Sequence, residues 1–79
     1  MTGAGNAVLD TRGELCPKPI IDLAAKLRSM PEGAILEVLS DDLAFPPDLR
    51  AWCAGTGNEV LGLQTQGRVH TARILKRDR

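Results

Sequence analysis

Cys16-Pro17-Lys18-Pro19 is the segment of this sequence whose residue types and spacing best suit chemistry. The thiolate is the nucleophilic form of cysteine, and a free thiol ionises with a pKa of about 8.5. A helix start and a neighbouring cation both favour the thiolate. Cys16 stands just ahead of a helical pattern, with Lys18 two residues on. Glu14 opposes the effect, so a moderate lowering of the thiol pKa is expected. The two prolines fit the first turn of a helix, where a missing N–H is harmless. They stiffen the mount, but they also remove two donors from a place that usually cradles anions. With Cys16 as N-cap, Lys18 is the main donor nearby. Lys18 precedes a proline and is steered away from helical angles, so a helix beginning at Pro19 is the alternative. The segment reads as a rigid support that turns one sulfur toward solvent. Position alone also allows the opposite, because free cysteine is among the most buried residue types.

The other candidates are weaker. Cys53 shares a helical face with Leu49 and adjoins Trp52, which points to core packing. Nothing in the spacing argues for a Cys16–Cys53 disulfide. Asp41 and Asp42 read first as caps of a second helix. Arg12 and Lys18 flank the thiol as solvated charges or as its support. His70 lies in an alternating strand with no second ligand candidate near it in sequence, so it is assigned a half-buried structural place. There is no Cys-x-x-Cys and no Cys/His cluster with zinc spacing.

These residues need elements to hold them. Ala7 to Asp10 reads as a short strand and Thr11 to Leu15 as a loop. From Pro17 to Met30, apolar residues at Ile20, Leu23, Ala24, Leu27 and Met30 mark one helical face. Lys18, Asp22 and Lys26 line the opposite face at a spacing that lets their charges support one another. Pro31-Glu32-Gly33 stops the helix. Ala34 to Ser40 is a second strand. A second helix follows Asp41-Asp42, takes Pro46 and Pro47 in its first turn, and ends at Gly55 and Gly57. Asn58 to Thr65 and Val69 to Lys76 are strands joined by Gln66-Gly67-Arg68. The order βαβαββ makes the first two strands parallel and the last two an antiparallel hairpin. Two helices then cover one face of a mixed four-stranded sheet, an α/β (α+β) two-layer sandwich. The carboxyl ends of the first two strands share an edge, where open α/β sheets tend to bind ligands. Cys16, Asp41, Asp42, Pro46 and Pro47 should meet there. Ile35 and Leu39 are expected on the sheet's uncovered side.

Composition narrows the function classes. The 79 residues make a single domain, 1–79, with fraying expected at 1–6 and 77–79. Such a chain buries only about 60% of its extended surface. Ten basic and ten acidic residues cancel, which argues against electrostatic capture of nucleic acid. Phe45 and Trp52 are too few aromatics for a base-stacking platform. No apolar run approaches the ~18 residues of a membrane span. Two cysteines without a signal-peptide pattern suit a reducing compartment, hence a cytoplasmic location.

Leu9-Asp10, Gly13, Cys16-Pro17-x-Pro19, Gly33, Asp41-Asp42, Trp52 and Gly57-x-Glu59 together follow the pattern of the TusA (SirA-like) sulfur-carrier family, which this chain resembles from Val8 to Lys76. The resemblance implies the same βαβαββ sandwich. It implies that Cys16 takes up a sulfane sulfur as a persulfide, with Pro17, Lys18, Pro19, Arg12, Asp41 and Asp42 as binding or supporting residues. The donors it implies are a cysteine desulfurase or a rhodanese-like protein, and the acceptors DsrE-like or other relay proteins. The end uses it implies are tRNA thiolation, molybdenum cofactor synthesis or sulfur oxidation. Such a protein is a carrier within a sulfurtransferase relay, without cofactor or metal, rather than a self-contained enzyme. Two positions depart from the pattern. Many members have His where this chain has Asn58, and in the tRNA-thiolation branch the place of Lys18 is often acidic. The alternative reading is a regulatory module that docks a partner on the same rim without transferring sulfur.

Overall fold

A computed structural model describes residues 6–77. Its elements are β1 (Ala7–Asp10), α1 (Lys18–Arg28), β2 (Ile35–Ser40), α2 (Phe45–Thr56), β3 (Glu59–Gln66) and β4 (Val69–Leu75). The strands form one sheet in the order β1-β2-β4-β3. β1 runs parallel to β2, while β4 is antiparallel to both β2 and β3. This is the expected two-layer sandwich, with β2 and β4 as its central strands.

Strand alternation separates two faces. Leu36, Val38, Ala72 and Ile74 face the helices and are buried, where they meet Leu23 and Leu27 of α1 and Phe45, Leu49 and Cys53 of α2. Ile35 and Leu39 alternate to the uncovered side and are half-buried, as expected. In β3 the alternation is broken by a register shift between Val60 and Gly62. Val60 pairs with Ile74, and Leu63 with Ala72, so both pack on the core face although they are three residues apart. Leu61 is the extra residue of this bulge and stays exposed.

The helix boundaries carry three corrections. α1 begins at Lys18 with Pro17 as N-cap, so Cys16 precedes the cap and the start lies between the two alternatives read from the sequence. α2 runs through Gly55 and stops at Gly57, which takes φ +89° and donates its N–H to the Cys53 carbonyl. One stop signal therefore suffices, because only Gly57 adopts the left-handed angle that ends the helix. Asp41 and Asp42 do not cap α2 as N-cap residues. That position belongs to Ala44, which makes no side-chain cap bond.

Lys76 closes the other end of the core. Its ammonium donates to the Leu27 and Met30 carbonyls at 2.6 and 3.0 Å, at the carboxyl end of α1. The fraying expected at the two ends falls mostly outside the described residues. At the inner edges, Asn6 Oδ1 accepts the Ile35 N–H at 3.0 Å, and the Arg77 N–H donates to Asn58 Oδ1 at 2.7 Å.

Candidate functional site

The β1–α1 loop is tied down along its length. Thr11 is buried, and its N–H and hydroxyl both donate to the Leu39 carbonyl, at 2.8 and 2.6 Å. The Gly13 N–H donates to Asp41 Oδ1 at 2.9 Å, and the Cys16 N–H donates to Asp42 Oδ2 at 2.8 Å. Asp41 and Asp42 thus face back across the rim and hold the loop that carries the cysteine. This is the shared edge expected from the parallel pairing of β1 and β2. Asp42 also anchors the start of α2, since its carbonyl accepts the Phe45 N–H at 3.0 Å. One residue therefore fixes both the cysteine backbone and the helix beside it.

Cys16 is exposed and free, whereas Cys53 is free and buried. Burial pushes the Cys53 thiol up to about 11, which leaves it inert at neutral pH. Cys16 is also raised, against the lowering expected from the sequence. The largest cause is a hydrogen bond to the Asp48 carboxylate, followed by desolvation and by the negative charges of Asp48 and Asp42. Lys18 does not offset them. Its ammonium lies 2.8 Å from Asp22 on α1 and 3.7 Å from Glu14 in the preceding loop. Burial and the neighbouring Asp22 carboxylate raise the Glu14 pKa. Arg12 is likewise engaged at 2.7 Å with Asp10.

The helix start offers the thiolate little. The Lys18 N–H donates to the Leu15 carbonyl, Pro19 has no N–H, and the Ile20 N–H donates to the Pro17 carbonyl. The donors that would cradle an anion are thus spent on the turn or absent. Among the sequence-predicted site residues, the structure gathers Cys16, Pro17, Asp41 and Asp42 on one rim, with Pro19 buried beneath as an anchor of α1. It turns Lys18 and Arg12 toward carboxylates elsewhere. Sequence reading missed Thr11 and Asp48. The signal for Asp48 was its place in the first turn of α2, next to Pro46 and Pro47 on the same edge.

A shallow cleft adjoins the rim, walled by Leu15, Asp42 and Leu43 on one side and by Arg68 and His70 of the β3–β4 hairpin on the other. Leu15 and Leu43, which line this cleft, are 72% and 89% exposed, unusual values for leucine. His70 is 7% exposed, more buried than expected; it stacks on Phe45, and its Nδ1 lies 2.8 Å from Thr65 Oγ1. Among the described residues, no group of His, Cys, Asp and Glu is arranged to hold a metal ion, and no helix is long and apolar enough to cross a membrane.

Comparison with known proteins agrees with this architecture. The sulfur carrier protein TusA of Pseudomonas aeruginosa is 30% identical over 77 residues, 98% of each chain. The TusA of Pseudomonas savastanoi is 33% identical over 61 residues, 77% of this chain and 73% of that one. YrkF of Bacillus subtilis is 36% identical over 62 residues, but this chain spans only 34% of its length. A SirA-like protein of Desulfitobacterium hafniense has the same fold in its crystal structure. Its TM-score is 0.76 at 26% identity, over 87% of this chain and 95% of that one. The family described as Sulfurtransferase TusA matches residues 7–76, nearly the whole described chain, and the protein belongs to that family.

Proposed function

We propose that this protein is a sulfur carrier in which Cys16 accepts a sulfane sulfur as a persulfide and hands it to a second protein. The observation that carries the reading is the placement of Cys16. Its side chain is exposed on a rim whose backbone is fixed by Asp42, while Cys53 is buried in the core. In the forward step, Cys16 Sγ attacks the outer sulfur of a donor persulfide. The donor's S–S bond breaks, the donor cysteine leaves as thiolate, and Cys16 keeps the transferred sulfur. A thiolate of the acceptor then attacks that outer sulfur, and Cys16 is the leaving group. Each attack needs an approach in line with the S–S bond. An exposed sulfur on a stiff turn permits it, and a deep pocket would block it.

The donor in this reading is a cysteine desulfurase or rhodanese-like protein and the acceptor is a DsrE-like or other relay protein, meeting in the cytoplasm. Leu15 and Leu43 support docking by a protein partner, since exposed leucines lining the cleft at this rim gain by being covered. Incubation with a desulfurase and cysteine should add 32 Da, one sulfur, to the peptide containing Cys16. An adduct on Cys53, or none, would overturn the reading. The Cys16→Ser variant separates it from a binding module, which would keep its biological effect without the sulfur.

A further inference from the structure

We infer that the uncovered face of the sheet is an interface with a second copy of this chain, the two sheets packing face to face about a two-fold axis that runs along the strands between β2 and β4. The inference is independent of sulfur transfer and concerns the side turned away from both helices. Residues paired across strands share a face, and each strand gives that face every second residue. Across its middle, from β1 to β3, run Val8, Glu37, Arg73 and Gly62. Ile35 and Leu75 are paired on one side of this row, Leu39 and Thr71 on the other. Val8 is 64% exposed, and a side chain built on Gly62 would meet open space. Leu61, the exposed extra residue of the bulge, adjoins that gap. Glu37 and Arg73 make no ion pair among the described residues. Together with Val8 and Ile35 they line a shallow depression on this face.

Charge selects both the occupant and its orientation. A two-fold axis along the strands lays β2 of each copy over β4 of the other. Within the ~30° of aligned sheet packing, Glu37 of each copy then meets Arg73 of the second, and the contact occurs twice. Ile35 meets Leu75 of the second copy, and Val8 enters the gap at its Gly62. The middle row is thus the complement of itself read backwards. An axis across the strands would set Glu37 on Glu37 and Arg73 on Arg73, which repel. The face is small. Four strands at about 4.8 Å and six residues at about 3.3 Å give a footprint of roughly 400 Å² per copy, against about 800 Å² per partner in a standard interface. The dimer is therefore weak and concentration-dependent. The axis keeps the strand direction, so the carboxyl ends of β1 and β2, and with them both Cys16 rims, lie at one end of the dimer and stay uncovered.

The test is sedimentation of the full chain in reducing buffer, from micromolar to near-millimolar concentration. Wild type should rise from the monomer mass toward twice that mass. Glu37→Arg and Arg73→Glu each put like charges in contact and should weaken association about tenfold or more. An equimolar mixture of these two variants restores opposite charges only between copies, so it should dimerise again. The double variant Glu37→Arg/Arg73→Glu should dimerise as wild type does. Circular dichroism checks that each variant is folded. Wild type that stays monomeric throughout would overturn the inference. So would single variants that associate like wild type, or a mixture no more associated than its components, since the contact would then lie on a strand edge or a helix. Should a single variant fail to fold, the wild-type and double-variant series still decide, and a monomeric double variant overturns the inference.

Discussion

At Cys16 the neighbours in sequence and the neighbours in space pull in opposite directions. Lys18 stands two residues away in the chain, but Asp22, four residues further along α1, takes its ammonium. Asp48 is thirty-two positions away, and its carboxylate is the main influence that raises the thiol pKa. The same competition settles Arg12, whose guanidinium makes a paired contact with Asp10 at 2.9 and 2.7 Å. That contact, with the Arg12 N–H, holds the Asp10 carboxyl down to about 2. A carboxyl lowered on folding stabilises above its unfolded value of about 3.9, and the contribution is lost as pH falls through the folded value. The urea midpoint of Asp10→Asn should therefore lie below that of wild type at pH 6. The gap should narrow from about pH 4 downward and close below pH 2. A gap at pH 2 as large as that at pH 6 would mean that the ion pair is not its source.

Among the elements, helix ends and the bulge in β3 decide the register that brings the rim together. α1 starts on two prolines and ends under Lys76, whose charge meets the Leu27 and Met30 carbonyls. A cation at a helix carboxyl end is favoured by the aligned backbone dipoles as well as by its hydrogen bonds. Lys76→Met keeps the apolar stem and removes the ammonium. It should cost about 1–2 kcal/mol in urea unfolding and leave sulfur loading of the folded protein unchanged. A loss below a few tenths would assign Lys76 to the surface in energetic terms. By sequence pattern Lys76 is only the last residue of a strand. Its capping role depends on the α1 end lying beside β4, which no local pattern records. The bulge is a similar case. Strict alternation through Val60 would send Leu63 to solvent, and the extra residue at Leu61 returns it to the core.

For the molecule as a whole, one small core must hold six elements in place. A domain of this length has about 4–12 kcal/mol of stability in all. Leu23 is fully buried where α1 meets the sheet. Leu23→Ala should cost about 2–5 kcal/mol through lost burial and the cavity left behind. The expected outcome is a protein partly unfolded at 37 °C, with its midpoint in urea sharply lowered. A midpoint within a few tenths of a molar of wild type would show that the core collapses around the change. The sheet's far side is different. Ile35 and Leu39 stand there half-buried, with Glu37 between them, so it carries apolar area without the continuity of a core.

The βαβαββ order, the parallel first pair and the final hairpin were all legible in the sequence, because hydrophobic period and turn residues are local signals. The edge that collects Cys16, Asp41 and Asp42 followed from that order, since parallel strands end on the same side. The role of each side chain on that edge was not legible. Asp41 and Asp42 turned out to hold the cysteine loop, Lys18 and Arg12 to serve other carboxylates, and Asp48 to raise the thiol pKa. Hydrogen bonds and charges act over a few ångströms, and only the packed chain determines which groups come within that reach.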